Sequence, residues 1–183
     1  MKPENLVCKS VDATTWSDLE KLFESKGSPH HCWCMVWRNM GSGLNRNLKS
    51  DKKKSLKEFV ENKIPVGIVC YSGNEPVAWC SVGPRESYRE LSGDKSLDDV
   101  WSLVCFFIKR PFREQGISEL LIRESIKYAR SEGAQFLEAY PVEKDSPSYR
   151  FMGIKPLFEK LGFEFVKKAG TRRNVMVKNL NVS

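Results

Sequence analysis

Residues 107–118 (FIKRPFREQGIS) join two segments of opposite character. The segment that leads into them, residues 100–108, is almost entirely apolar, which is typical of a central β-strand covered on both faces. The segment that follows, residues 117–129, places its apolar side chains at helical spacing opposite a charged face. The sequence therefore predicts a strand, a tight turn that contains Gly116, and a helix that packs on the sheet.

The turn before this helix has the properties of an anion site. The first amides of a helix lack partners within the helix and lie at the positive end of its dipole. A glycine turn at the same place brings further N–H groups toward one point, as in many phosphate sites. We therefore expect a phosphorylated cofactor, with its phosphates held by the amides of Arg113, Glu114, Gln115, Gly116, Ile117 and Ser118.

The rest of the chain alternates between short strands and amphipathic helices, which predicts one mixed α/β domain over residues 1–183. Predicted strands cover residues 6–11, 66–71, 76–82, 100–108, 136–140, 163–167 and 174–180. One predicted helix begins at residues 14–16, and three more cover residues 51–62, 117–129 and 154–161.

The composition is that of an ordinary globular protein, with 183 residues, 40% hydrophobic and 29% charged. No apolar run has the length of a membrane span, and the first residues lack the apolar core of a signal peptide. We therefore expect a cytoplasmic protein without membrane association. For such a protein the six cysteines do not predict a disulfide framework, and Cys70, Cys80 and Cys105 fit apolar strands as free thiols.

The net charge of +7 favours anionic partners such as cofactor phosphates, acidic substrates or nucleic acid. The basic residues are scattered along the chain, and it carries no recognisable nucleic-acid-binding motif. We therefore expect no nucleic acid as a partner. The sequence leaves open whether the protein forms a homodimer.

Two motifs resemble those of the GNAT superfamily of N-acetyltransferases. The first, after the central strand, is Arg113-x-x-Gly116-x-Ser118, and the second is LFEKLGF at residues 157–163. The order of predicted elements is also similar to that of the family. The resemblance implies a GNAT-like acyl-CoA N-acyltransferase fold, with a mostly antiparallel central sheet flanked by helices. It implies an enzyme that transfers an acetyl group from acetyl-CoA to a primary amine of a small molecule or a peptide.

The resemblance also implies roles for individual residues. Backbone groups of Phe107 and Ile108 would lie along the pantetheine arm, and residues 113–118 would hold the pyrophosphate. Phe158 stands at the cofactor-binding position where many members carry the tyrosine that protonates the leaving thiolate, and Phe151 stands where asparagine is common. Because phenylalanine cannot donate a proton, the alternative is a non-catalytic acyl-CoA-binding module.

A base would be needed to deprotonate an acceptor amine of high pKa. Glu138 and Asp99 are the predicted catalytic carboxylates, and Asp98 is a third candidate. The alternative interpretation for all three is a solvated or ion-paired carboxylate with a structural role.

The segment HHCWCMVWR at residues 30–38 is unusual. Imidazole and thiolate are zinc ligands, but adjacent residues rarely point at one ion and no second cysteine pair follows, so we expect no metal. In the family the region after the first helix shapes the acceptor site, which implies an acceptor pocket lined by Trp33, Cys34, Trp37 and Arg38. A packed aromatic turn between two helices is the alternative.

Overall fold

The computed structural model describes residues 6–181, which build one seven-stranded sheet. Its strands are β1 (Leu6–Ser10), β2 (Ile68–Ser72), β3 (Glu75–Pro84), β4 (Val100–Ile108), β5 (Phe136–Ala139), β6 (Glu164–Ala169) and β7 (Arg173–Asn179). Their spatial order is β1-β2-β3-β4-β5-β7-β6. All neighbours are antiparallel except β4 and β5, so the predicted mixed α/β class with a mostly antiparallel sheet is confirmed.

The parallel pair β4–β5 separates before β4 ends. Pairing runs from Val100 opposite Phe136 to Leu103 opposite Ala139. Strand β4 then continues to Ile108 while it stays paired with β3, and a bulge interrupts that ladder between Ser81 and Val82. The sheet therefore has an open edge inside it, along the second half of β4.

Four helices cover the two faces of the sheet: α1 (Trp16–Glu24), α2 (Lys49–Glu61), α3 (Ile117–Ser131) and α4 (Lys155–Lys160). Helix α3 buries Ile117, Leu121, Ile122 and Ala129 in the same core as residues of β2, β3 and β4. This packing fixes the first turn of α3 beside the end of β4, as its apolar stripe predicts. Within residues 6–181 no helix is both long enough and apolar enough to cross a membrane.

One cysteine pair differs from the sequence-based expectation. Cys8 and Cys70 are directly opposite each other in the β1–β2 ladder, and their sulfur atoms are bonded as a disulfide. The prediction that Cys70 is a free thiol in an apolar strand was therefore wrong. The register of two strands 62 residues apart in sequence brings this pair together, and sequence spacing alone does not show it.

Candidate active site

The turn before α3 presents unpaired backbone donors. Gly116 is the N-cap of α3 with φ of +79°, a left-handed conformation that glycine adopts without strain. The first bond within the helix runs from the Leu120 amide to the Gly116 carbonyl, at 3.2 Å. Within residues 6–181, the amides of residues 114–119 have no acceptor. A Cβ built on Gly116 would meet nothing within 4 Å, so open space adjoins the turn at this residue.

Side-chain hydrogen bonds hold the turn against the end of β4. Arg113 Nε donates to the carbonyl oxygen of Ile108 at 3.0 Å. Gln115 Nε2 donates to the Pro111 carbonyl at 2.8 Å. The structure therefore brings the predicted turn residues together at one end of the open edge of β4.

The register of β3 and β4 decides which backbone groups that edge exposes. The Lys109 amide donates to the Val77 carbonyl at 2.9 Å, and antiparallel pairs alternate between bonded and non-bonded. The N–H and C=O of Phe107 therefore point at Trp79, its partner in β3. The N–H and C=O groups of Phe106 and Ile108 point away from β3, toward the open edge of β4. Phe107 and Ile108 were both predicted to lie along the pantetheine arm, but only Ile108 exposes its backbone groups at the open edge. Phe106, which was not predicted, exposes its backbone groups there as well.

A cleft of about 630 Å³ adjoins this edge. Three separate parts of the chain form its walls: the segment after α1, the second half of β4 with the turn that follows, and the segment before α4. The lining residues are Gly27, Ser28, Pro29, Cys32, Cys34, Val36, Trp37, Cys105, Phe106, Phe107, Arg113, Tyr149 and Phe151. The cleft therefore runs from the turn residue Arg113 past β4 to the aromatic side chains.

The four predicted acceptor residues divide between this cleft and the core. Cys34 and Trp37 line the cleft. Trp33 is fully buried and packs against Trp16 and Phe23, with ring centroids 6.0 and 5.2 Å apart. Placing Trp33 in the acceptor pocket was therefore wrong, because its ring stabilises the core between α1 and the sheet.

Arg38 is also a core residue rather than an acceptor ligand. Its side chain is fully buried, and its guanidinium donates to Ser87 Oγ at 2.8 Å, the Val66 carbonyl at 2.7 Å and the Tyr88 hydroxyl at 2.6 Å. It lies 4.0 Å from the centroid of the Tyr88 ring. Burial lowers the pKa of Arg38 and raises that of Tyr88 to about 12. Arg38 therefore connects its own segment, by hydrogen bonds, to the residues before β2 and to the loop after β3.

The thiols in the cleft interact with one another. Cys34 Sγ lies 3.4 Å from Cys105 Sγ and accepts a hydrogen bond from Trp79 Nε1 at 3.2 Å. The contact with Cys105 and burial together raise the pKa of Cys34. The neighbouring Cys34 thiol, together with burial, raises the pKa of Cys32. Cys32 and Cys34 are therefore uncharged thiols at neutral pH.

Tyr149 and Phe151 form the opposite wall, which sequence reasoning did not assign to the site. Their side chains are 36% and 42% exposed, and the Tyr149 ring packs 6.2 Å from that of Trp37. Arg173 at the start of β7 places its guanidinium 5.0 Å from the Trp37 ring and 5.8 Å from that of Tyr149. The one available signal was Phe151, at a position where the family commonly has asparagine.

Glu138, the first predicted base, is engaged elsewhere. Its carboxylate is fully buried and accepts hydrogen bonds from Arg85 Nη2 at 3.2 Å, the Asp94 amide at 3.0 Å and the Tyr140 hydroxyl. These partners belong to the loop that precedes β4 and to the end of β5. Glu138 is absent from the lining of the cleft. The structure therefore favours the alternative interpretation, in which Glu138 is an ion-paired carboxylate with a structural role.

Asp99 and Asp98 lie at the wrong end of β4 for a base. Both are exposed and precede Val100, the first residue of the strand, whereas the open edge begins after Leu103. Asp99 accepts a hydrogen bond from Gln135 Nε2 at 2.6 Å. The structure therefore does not bring Asp99, predicted as a catalytic residue, to the cleft, because the length of β4 separates them.

Phe158 keeps the position of the family tyrosine as part of the core. It is fully buried in α4, with its ring 6.3 Å from Phe106 and 5.1 Å from Phe163. A Cβ on Gly153 would approach the Phe158 ring within 2.6 Å, so the ring leaves room only for glycine there. Phe158 therefore packs against Phe106 of the open edge and is not among the residues that line the cleft.

Within residues 6–181, no group of three or more His, Cys, Asp or Glu side chains is placed to hold a metal ion. The expectation that the protein needs no metal stays a prediction.

In this structure a strand leaves its parallel partner beside the start of a helix whose first amides have no acceptor. The Acetyltransferase (GNAT) family matches residues 33–163, which is more than half of the chain. The chain therefore belongs to the GNAT acetyltransferase family, and it is an acyltransferase enzyme. A search of curated protein sequences finds no match.

Solved structures agree with this assignment at the level of the fold. An N-acetyltransferase from Staphylococcus aureus Mu50 superposes with a TM-score of 0.59 at 11% identity, covering 97% of this chain and 99% of that one. An acetyltransferase from Thermus thermophilus gives 0.57 at 15% identity, with 98% and 99% covered. The PaiA N-acetyltransferase from Thermoplasma acidophilum, solved in complex with coenzyme A, gives 0.56 at 11% identity, with 96% and 99% covered.

Proposed function

We propose that the protein transfers the acetyl group of acetyl-CoA to a primary amine of a small molecule or a peptide. The observation that carries the proposal is the continuity of three features. Unpaired amides at residues 114–119 lead to the open edge of β4, and that edge leads into the cleft. The pyrophosphate, the pantetheine arm and the acetyl group of the cofactor would occupy these features in that order.

The turn would hold the pyrophosphate through backbone donors at the positive end of α3. The pantetheine amides would pair with the exposed groups of Phe106 and Ile108, as an added strand does. The Ile108 carbonyl now accepts from Arg113, so the arginine would give up this bond as the cofactor binds. The acetyl carbonyl would then lie against the edge near Phe106, where a strand amide can polarise it.

The reaction would be direct attack by the neutral amine on the thioester carbon. A bond forms between nitrogen and carbon, the carbon–sulfur bond breaks, and the amine proton passes to the departing sulfur. Phe158 cannot supply or relay a proton, whereas Tyr149, which carries a hydroxyl, is one of the residues that line the cleft. We assign Tyr149 the role of relaying this proton, which places the acid in a different segment from the family tyrosine.

The first experiment is a thermal-shift titration with acetyl-CoA, run on the parent, Gly116→Glu and Gly133→Glu. Both glycines have positive φ, +79° and +86°, and both would direct a Cβ into open space. The two substitutions therefore impose similar backbone strain, but only the first places a carboxylate in front of the turn. We expect acetyl-CoA to stabilise the parent and Gly133→Glu, and the affinity of Gly116→Glu to fall about 100-fold or more.

A screen of primary amines that records free CoA follows. CoA release that depends on an amine supports the transferase, whereas acetyl-CoA binding without turnover on any amine supports the non-catalytic acyl-CoA-binding module. The absence of a thermal shift in the parent at millimolar acetyl-CoA would refute both.

A further inference from the structure

The residues that line the cleft determine which bases it offers. His30 and His31 lie between the lining residues Pro29 and Cys32 but are not among them, and His30 Nδ1 is 3.2 Å from the Ser28 carbonyl oxygen. Of the residues described, none that lines the cleft is aspartate, glutamate or histidine. The ionisable groups of its walls are the thiols of Cys32, Cys34 and Cys105, the Tyr149 hydroxyl and the Arg113 guanidinium. Because the raised pKa values of Cys32 and Cys34 keep these thiols protonated, they cannot accept a proton at neutral pH.

The fixed charges around the cleft are positive. Arg113 lies in its wall, and the Arg173 guanidinium lies against the Trp37 and Tyr149 rings that form another part of it. A cationic ammonium group that enters this space would meet no carboxylate of the lining to pair with, and the Trp37 and Tyr149 rings already pack against the Arg173 guanidinium. Electrostatics therefore opposes a protonated acceptor.

The proton balance leads to the same conclusion. A neutral amine that attacks the thioester releases one proton, and the departing thiolate needs one proton, so no external base is required. An ammonium substrate must lose a further proton before it can attack. The carboxylates that could have taken it, Glu138 and Asp99, are bonded to other groups outside the cleft.

The remaining wall is apolar and mostly aromatic. Trp37, Phe107, Tyr149 and Phe151 provide aromatic surface, and Val36 adds an exposed aliphatic side chain. Aromatic rings of this kind pack well against another planar apolar group. The wall therefore suits the body of an aromatic molecule rather than a long polar chain.

We propose that the acceptor is a primary amine that is uncharged at neutral pH and attached to an aromatic body, an arylamine being its simplest form. This inference rests on the proposed acetyltransferase function. It identifies the substrate class by two properties, a low amine pKa and a planar apolar body. It also means that a polyamine or a lysine side chain is a poor acceptor.

The test compares two isomers, 4-methylaniline and benzylamine, as acceptors for acetyl-CoA between about pH 6.5 and pH 8.5. They have the same atoms and nearly the same size, but only benzylamine is protonated in this range. We expect kcat/KM for 4-methylaniline to be independent of pH and, at neutral pH, about tenfold or more above that for benzylamine. For benzylamine we expect kcat/KM to rise about tenfold per pH unit, because only its neutral fraction reacts.

A gain-of-function variant tests the cause. Phe151→Glu places a carboxylate in the wall at a position that is 42% exposed, and Phe165→Glu places one on β6 at a position that is 48% exposed and outside the cleft. We expect Phe151→Glu to raise kcat/KM for benzylamine relative to 4-methylaniline by about tenfold. Phe165→Glu should leave that ratio at the parent value.

Two results would overturn the inference. Faster acetylation of benzylamine or of spermidine at neutral pH, without the tenfold rise per pH unit, would show that the site accepts and deprotonates cations. In that case the acetyltransferase function would stand and only the acceptor class would be wrong. CoA release with none of the amines, despite binding of acetyl-CoA, would instead refute the proposed function and the inference with it.

Discussion

The turn before α3 and the aromatic cleft are neighbours, but they are built in different ways. The turn is one contiguous stretch, and its free donors are the backbone amides of residues 114–119, whereas the Arg113 amide donates to the Arg110 carbonyl at 3.3 Å. The cleft combines residues of three segments, from Gly27 to Phe151 in sequence, and most of its surface is side chain. A backbone site depends on conformation, which a glycine at one position can secure. A side-chain site depends on which residues the fold brings together.

The largest effect that would sharpen this comparison comes from two tryptophans four residues apart. Trp33→Ala should lower the free energy of unfolding by about 3–5 kcal/mol, because it removes a fully buried ring from the core. Trp37→Ala should cost about 1 kcal/mol or less but raise KM for the aromatic acceptor about tenfold, because it removes part of the cleft wall. Urea unfolding measures the free energy of unfolding of both variants, and steady-state kinetics measure their KM. Equal losses of stability would show that the segment has one structural role.

Alkaline pH should lower the stability of the protein through the buried thiol of Cys80. Burial raises the pKa of Cys80 to about 12, above the ordinary cysteine value of about 8.5. Below about pH 8.5 both states hold the proton and the full stability is present. Above that pH the unfolded chain loses the proton first, so stability falls as pH rises toward the folded value.

The expected loss between about pH 8.5 and pH 10 is about 2 kcal/mol for this thiol, measured by urea unfolding. Cys80→Ala should be less stable than the parent at neutral pH, but its free energy of unfolding should fall less than that of the parent between neutral pH and pH 10. A stability that stays constant over this range in the parent would contradict the prediction.

Tyr149→Phe tests the proton relay assigned to the cleft. The substitution keeps the ring that packs on Trp37 and removes only the hydroxyl. We expect kcat to fall about tenfold or more while the affinity for acetyl-CoA is unchanged. An unchanged kcat would mean that water protonates the leaving thiolate and that Tyr149 only packs.

The smallest effect should come from a side chain of the turn. Gln115→Ala removes a bond to the Pro111 carbonyl but no backbone donor. We expect the Kd for acetyl-CoA, measured by calorimetry, to change less than about threefold. A loss of tenfold or more would break the comparison, because it would show that the turn also binds through its side chains.

Sequence reasoning predicted the fold well because apolar periodicity and glycine position are local signals. The strand at Val100–Ile108 and the helix from Ile117 occur where the pattern placed them. It failed for Arg38 and Trp33, because the partners that bury these residues, such as Val66 and Phe23, come from other elements. It missed Tyr149 for the same reason, since only the folded chain brings that ring to Trp37.

An unpaired strand edge is also a template on which a second polypeptide can add and start aggregation. In this protein the open edge of β4 lies within the sheet, and the short turn at Arg150–Met152 packs against the strand. A small ligand can use the exposed groups there, whereas a second chain would have to displace this turn. The outer strand β6 presents the more accessible edge, and its lysines, Lys167 and Lys168, discourage pairing by charge.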